Sequence, residues 1–333
     1  MSALLLTFSI LTLAAGLLGA AAWYSLVVPG RSFAGALPPA TPEERRLARR
    51  LEQHVAAIAS VPHNVTYYDA LEKAARYIES TLAAQGYQVT RQEFTESLAG
   101  RAVRNLEAVI EPAHRGAEPG TLVVGAHYDS AGSAPGANDN GTGTAAVLEL
   151  ARLLSDLRAA HTRLRLVFFV NEEPPYFRTR DMGSLRYANA LRARGENVTG
   201  MISLETLGAF SDAPGSQRYP APFQHIYPST GNFIAFVGLP GSRAFVHTVL
   251  DSFRRHTKFP TIGGVAPDVI AGVGWSDHWA FANNRYPSLM ITDTALFRYP
   301  HYHQPTDTPD KVDFDKLARI TKGLERVLRE LVR

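Results

Sequence analysis

The 333-residue chain contains no cysteine. Disulfides are therefore excluded, and any metal site must be built from histidine and carboxylate side chains. The chain also lacks a long basic run. Its 34 Lys and Arg against 31 Asp and Glu leave a net charge of only +3. The densest basic cluster, Arg45, Arg46, Arg49 and Arg50, reads as the solvated face of a helix, so no nucleic-acid partner is expected.

A third absence is local: residues 2–28 carry no charged side chain. Leu4, Leu5, Leu6, Phe8, Ile10, Leu11, Leu13, Leu17 and Leu18 make this stretch densely apolar, and about 20 apolar residues suffice to span a bilayer. A cleaved signal usually starts with basic residues, which are missing here, although Ala20-Ala21-Ala22 offers a small-residue cleavage site. We expect residues 1–28 to act as a membrane anchor or signal segment. Residues 29–41, rich in proline and glycine, are the expected linker. Residues 42–333 are expected to form one domain on the extracytoplasmic side, large enough for a sizeable core.

Within that domain the apolar residues set the elements. Thr41, Pro42 and Glu44 form a helix start signal, and Leu47, Leu51, Val55 and Ile58 follow at helical spacing. Leu71, Ala74, Ile78 and Leu82 repeat the pattern until Gly86. Strands are predicted over 87–94, 103–110, 122–127, 164–170, 200–204, 233–237 and 288–291. Helices are predicted over 144–157, 182–194, 242–256 and 314–332. Apolar strands alternating with helices predict an α/β fold with a largely parallel sheet covered on both faces and an antiparallel edge from the early strands. The stretch 208–232 reads as a loop over one face.

In parallel sheets, sites form at the carboxyl ends of strands. Three predicted strands end in polar groups: His127-Tyr128-Asp129, Asn171-Glu172-Glu173, and Glu205. Between the first two lies Asn138-Asp139-Asn140, bounded by glycines and opening into a helix. His301-Tyr302-His303 comes near the end, with Asp307-Thr308 shortly after. Glu172 and Glu173 follow Leu166-Val167-Phe168-Phe169-Val170, a strand that should be buried, and buried charge needs a partner or a metal. Adjacent strand residues face opposite ways, so one Glu can bind a metal while its neighbour acts as a base. Asp139 could approach two ions at once, as a two-metal site requires. Asp129 suits an acceptor that fixes the His127 tautomer.

This series resembles the co-catalytic zinc exopeptidases that include bacterial leucyl aminopeptidases and aminopeptidase Y, most closely their membrane-anchored or exported bacterial members. The resemblance runs from about residue 45 to the C-terminus, with all five ligand positions in the family's order. It implies a three-layer α/β/α sandwich around a mixed, mostly parallel sheet of about eight strands. It further implies that His127, Asp139 and Glu205 hold one Zn2+, that Asp139, Glu173 and His303 hold another, and that Glu172 is the general base. His301 rivals His303 for the last ligand position. Many members have Asp where this chain has Glu205, which leaves the second zinc less secure than the first. Asp277, His278 and Tyr299 are candidates to contact substrate.

The implied activity is aminopeptidase action on peptides. A single-zinc glutaminyl cyclase is the alternative, followed by a carboxypeptidase or amidohydrolase relative. A non-catalytic binding domain would be expected to lack ligands that this chain retains. Pro174, Pro175, Tyr176 and Phe177, together with Phe210, Tyr219, Phe223 and Tyr227, could wall a pocket for apolar or aromatic N-terminal residues.

Overall fold

A computed structural model describes residues 2–113, 119–221 and 223–332. The first helix, α1 (Ser2–Leu26), carries no acidic or basic residue in its terminal turns. Among the described residues no helix is long and apolar enough to cross a membrane. The expected anchor falls partly on side chains 2–6, 14–15 and 17–18, which lie outside the described set.

Helix α2 (Pro42–Ile58) starts as expected. Thr41 accepts from the Glu44 amide, and the Glu44 side chain answers to the Thr41 amide. It is followed by α3 (Tyr68–Ala84), β1 (Thr90–Thr95), β2 (Ala102–Ile110) and β3 (Gly120–His127). Then come α4 (Thr142–Leu153), β4 (Thr162–Phe169), α5 (Gly183–Ala193) and β5 (Val198–Glu205). The chain continues through β6 (Ile234–Gly238), α6 (Arg243–His256), β7 (Thr261–Val265) and α7 (His278–Asn283). It ends with β8 (Ser288–Thr292), α8 (Ala295–Arg298) and α9 (Phe314–Leu331).

The eight strands form one sheet in the order β1-β2-β4-β3-β5-β8-β6-β7. Its centre, β4-β3-β5-β8, is parallel. β1 and β2 make the antiparallel edge that the early strands predicted. At the far side β6 runs antiparallel to β8, and β7 pairs parallel with β6. Strand β7 has no counterpart in the sequence reading, because its Gly263-Gly264 pair breaks the apolar pattern on which a strand is recognised.

The uninterrupted apolar run of β4 resolves into two faces. Leu164, Leu166 and Phe168 join α2, α3, α4, α6 and α9 in the larger core. Val167 and Phe169 join Tyr187 and Leu191 of α5 and Phe281 of α7 on the other side. A strand buried on both faces reads as continuous apolar sequence. Each fully buried Leu, Val or Phe contributes roughly 1.5–3 kcal/mol, so the three layers hold the strand ends rigidly.

One ionic group crosses the larger core. Glu149 of α4 is fully buried. It accepts hydrogen bonds from Arg152 Nε at 2.8 Å and Arg50 Nε at 3.1 Å, and its Oε1 meets His54 Nε2 at 3.1 Å. Burial raises its pKa, but the hydrogen bonds from His54 and Arg152 and the nearby guanidinium charges outweigh burial and pull it down to about 2. A depressed carboxyl pKa adds stability above its unfolded value, and that stability is lost as pH falls through the folded value. Glu149→Gln should lower unfolding stability at pH 7 by on the order of 3 kcal/mol. In thermal unfolding followed from pH 7 to 2, the gap to wild type should narrow below about pH 4.5 and close near pH 2. A gap independent of pH would show that Glu149 acts through packing alone.

Candidate metal centre

Strands β3, β4 and β5 are parallel neighbours and deliver their last residues to one edge of the sheet. Register pairs His127 with Phe169, and Gly125 with Ser203. His127 and Glu205 therefore end adjacent strands at the same level, with Asn171, Glu172 and Glu173 just past the end of β4. Asp139 arrives on the turn Ala137–Gly141 that opens into α4, and the peptide after it is cis. His303 comes from the loop after α8.

Both asparagines of the Asn138-Asp139-Asn140 turn are clamps. Asn138 donates to Asp293 at 3.0 Å and accepts from the Gly208 amide at 2.8 Å. Asn140 donates to the Leu204 carbonyl at 2.8 Å and accepts from the Gly143 and Thr206 amides at 3.0 and 3.1 Å. The turn also needs Gly143, where a Cβ would run into the Leu204 carbonyl. Asp307 completes the cage, accepting from the Asn138 and Asp139 amides at 2.9 and 3.1 Å.

The result is a group of six side chains, five of them buried and His303 half-buried. His127 Nε2 lies 3.5 Å from Asp139, 3.4 Å from Glu205 and 3.7 Å from Glu172. His303 Nε2 lies 3.0 Å from Asp139 Oδ2 and 3.3 Å from Glu173. Ligand atoms converge within 4.8 Å in three sets: His127-Asp139-Glu205, His127-Glu172-Glu173, and Asp139-Glu173-His303. Close as they are, His127 Nε2, His303 Nε2 and Asp139 Oδ2 are buried without an aligned hydrogen bond. Buried polar atoms are normally paired. Atoms that face one another at 3.0–3.5 Å without bonding are arranged to share a third partner.

Charge leads to the same conclusion. Four buried carboxylates face two imidazoles. Burial opposes protonation of His127, but the charges of Glu205 and Glu172 outweigh it and hold the imidazole well above its ordinary pKa. The same contest pushes His303 up to about 10, through the close approach of the Asp139 and Glu173 carboxylates. Burial, with Asp139 nearby, pushes Glu173 up to about 7 and Glu205 up to about 8. A divalent cation supplies the positive charge this group lacks, and imidazole with carboxylate is a suitable donor set. The residues present therefore fit a metal.

Asp129 stands beside the cluster with a role in shaping it. His127 Nδ1 meets the Asp129 carbonyl oxygen at 3.1 Å and its carboxylate at 3.6 Å, which leaves the Nε2 lone pair aimed at the acids. The Asp129 carboxylate accepts from the Glu172 and Glu173 amides, both at 3.1 Å, and so fixes the segment that carries them. Ser276 donates to Glu205 at 2.7 Å. Asn171, Thr206 and His303 adopt positive φ values of 59°, 47° and 57°. Such backbone is costly for side-chain-bearing residues and gathers at functional sites.

The remaining expectations separate. Asp277 is fully buried with neither carboxylate oxygen hydrogen-bonded, and burial raises it to about 7. His278 is also buried, and its Nε2 donates to the Val273 carbonyl at 2.9 Å, which ties it to the fold. Tyr299 gives its hydroxyl to Asp307 at 2.8 Å, so it braces the Asp139 turn. His301 pairs with Thr306 at 2.8 Å and belongs to none of the ligand sets.

Tyr302 was not anticipated. It stacks on His303 with ring centres 3.9 Å apart and faces an apolar cavity of about 130 Å³ that also touches Glu205. Its position between two histidines was the only signal in the sequence. Tyr219, Phe223 and Tyr227 line the cavity as expected, but Pro174–Phe177 and Phe210 do not. Tyr176 turns away to donate to Glu96, and Phe210 packs on Phe259.

The chain is 35% identical over 301 residues to "Uncharacterized protein YfbL" of Escherichia coli (strain K12), covering 87% of this chain and 90% of that one. It is 29% identical to "Probable leucine aminopeptidase 1" of Trichophyton verrucosum (strain HKI 0517), over 66% of this chain and 56% of that one. The fold resembles that of the aminopeptidase from Aneurinibacillus sp. strain AM-1, with a TM-score of 0.67 and 18% identity over 87% of this chain and 95% of that one. It also resembles the glutaminyl cyclase of Fimbriiglobus ruber, with a TM-score of 0.63 and 20% identity over 91% and 99%. The sequence model described as "Peptidase family M28" matches residues 105–328, from β2 to the last helix and across every member of the cluster, and the chain belongs to that family.

Proposed function

We propose that the chain is a zinc aminopeptidase with two ions in the site, acting on peptides whose first residue is apolar. The supporting observation is the placement of Glu205. It stands in a ligand set with His127 and Asp139 and also borders the apolar cavity, so a side-chain pocket opens directly beside the reacting centre. Relatives named leucine aminopeptidase and a fold neighbour named as a zinc aminopeptidase from Bacillus subtilis agree with this reading.

On this reading His127, Asp139 and Glu205 hold one ion, and Asp139, Glu173 and His303 the other. Zinc supplies Lewis acidity, polarising the scissile carbonyl and making water easier to deprotonate. Glu172 takes the proton of the attacking water and returns it to the departing amide nitrogen as the C–N bond breaks. Burial, with the charges of Glu205 and Glu173, holds Glu172 well above the usual carboxylate range against the pull of His127, which suits a group that must both accept and return a proton. The acidic cluster also favours the cationic amine of a peptide N-terminus. Residues 42–333 form the peptidase unit. The apolar α1, with Phe8, Ile10, Leu11 and Leu13 exposed, anchors that unit on the extracytoplasmic side of a membrane.

Elemental analysis of the purified protein should give two zinc ions per chain, and chelation should abolish release of N-terminal leucine. His303→Ala should lose one ion. Glu172→Gln should keep both ions while kcat falls by about 10²- to 10⁴-fold. Full activity in Glu172→Gln would remove the base assignment, and pyroglutamate formed from N-terminal Gln peptides in place of free amino acids would replace the peptidase reading with a cyclase. Membrane fractionation tests the anchor: carbonate washing should leave the activity in the pellet, and release into the wash would argue against it.

A further inference from the structure

We propose that the end of α1, centred on Leu26, forms the outer wall of the substrate side-chain pocket, so this N-terminal segment sets side-chain preference. The inference rests on the aminopeptidase reading and extends it to a part of the chain remote from the ligand motifs. Leu26 lines the same apolar cavity as Glu205 and Tyr302. More than 170 residues separate it from Glu205, so only the folded chain brings them to one pocket.

The segment is held in place by specific bonds. Tyr24 donates its hydroxyl to the Pro240 carbonyl at 3.0 Å. Arg243 Nε donates to the Tyr24 carbonyl at 2.7 Å, and its guanidinium lies 5.1 Å from the Trp23 ring centre and 4.9 Å from that of Tyr24. Arg254 donates to the Pro29 carbonyl at 2.5 Å, and the Thr261 amide donates to Ser32 at 2.8 Å. Strand β7, the sheet edge, accommodates the close approach: a Cβ on Gly264 would stand 2.6 Å from the Ser25 carbonyl. A glycine on an edge strand, where another backbone passes close, has the physical reason such a residue needs.

Pocket walls discriminate side chains by size, at roughly 10- to 200-fold per methylene group in a well-packed site. A half-buried Leu at the outer wall acts at the lower end of that range. It limits how large a residue fits without touching the metal ligands. Arg243 acts indirectly, because it holds the wall but does not line the cavity.

The test uses the full-length, zinc-loaded protein with alanyl-, leucyl- and phenylalanyl-nitroanilides. Leu26→Trp should lower kcat/KM for the phenylalanyl substrate by about tenfold and for the alanyl substrate by less than about twofold. Leu26→Ala should shift preference towards phenylalanyl over leucyl by at least about threefold, and Arg243→Ala should move it the same way. Melting temperature and zinc content should match wild type in all three. Substrate ratios within twofold of wild type in every variant would overturn the proposal. If the wild-type protein releases no amino acid, the aminopeptidase reading fails, and calorimetric titration with L-leucinamide then decides the wall separately. Weaker binding in Leu26→Trp supports it, and equal or absent binding in both proteins overturns it.

Discussion

The structure is organised around buried negative charge. Asp139, Glu172, Glu173 and Glu205 share a space with two imidazoles, and with all six ionised the carboxylates outnumber the imidazolium ions. Taking one carboxylate out of water is expensive, and four in proximity more so. The protein accepts that penalty in a place where rigid strand ends prevent the acids from turning outward. Each acid is fixed by backbone: Glu172 and Glu173 through their amides on Asp129, Asp139 through its amide on Asp307, and Glu205 as the last residue of β5. The sandwich supplies the rigidity, and the charge surplus defines what must bind.

The legibility of this arrangement in the sequence followed the range of the interactions. The capping box at Thr41 and the two-faced burial of β4 depend on neighbours along the chain, and both read correctly from local pattern. The same holds for the strand ends at His127 and Glu205. Strand β7 did not read, because its Gly263-Gly264 pair breaks the apolar pattern for reasons that lie elsewhere in the chain: Gly263 packs under Leu250, and Ser25 passes over Gly264. Asp307 and Tyr299 likewise brace the Asp139 turn from about 160 positions away, so Asp307 was visible only as spacing from His303, and Tyr299 only as a candidate substrate contact. Left-handed backbone at Thr206 leaves no trace in residue type, since a β-branched residue rarely adopts it.

The two asparagines that flank Asp139 show how one short motif carries several loads. A metal-binding turn must leave its carboxylate free while every backbone group around it stays satisfied. Asn suits this because it both donates and accepts. Asn138 joins the extension of β8 at Asp293 to that of β5 at Gly208, and Asn140 holds the end of β5 at Leu204 and Thr206. Position, more than intrinsic affinity, makes Asp139 common to two ligand sets.

Glu205 becomes intelligible in the same terms. A side chain one methylene longer than Asp has an extra torsion to restrain and more ways to miss a shared centre. Here Ser276 donates to its Oε2 at 2.7 Å, and Ser276 is itself paired with Ser203 two residues back on β5, also at 2.7 Å. The relay runs from strand to helix start and back to the carboxylate, so the added length is spanned by a fixed chain of hydrogen bonds. It also carries the carboxylate to the border of the apolar cavity. At the position where the resemblance leads one to expect Asp, the longer side chain of Glu205 thus reaches both the charged cluster and the border of the cavity.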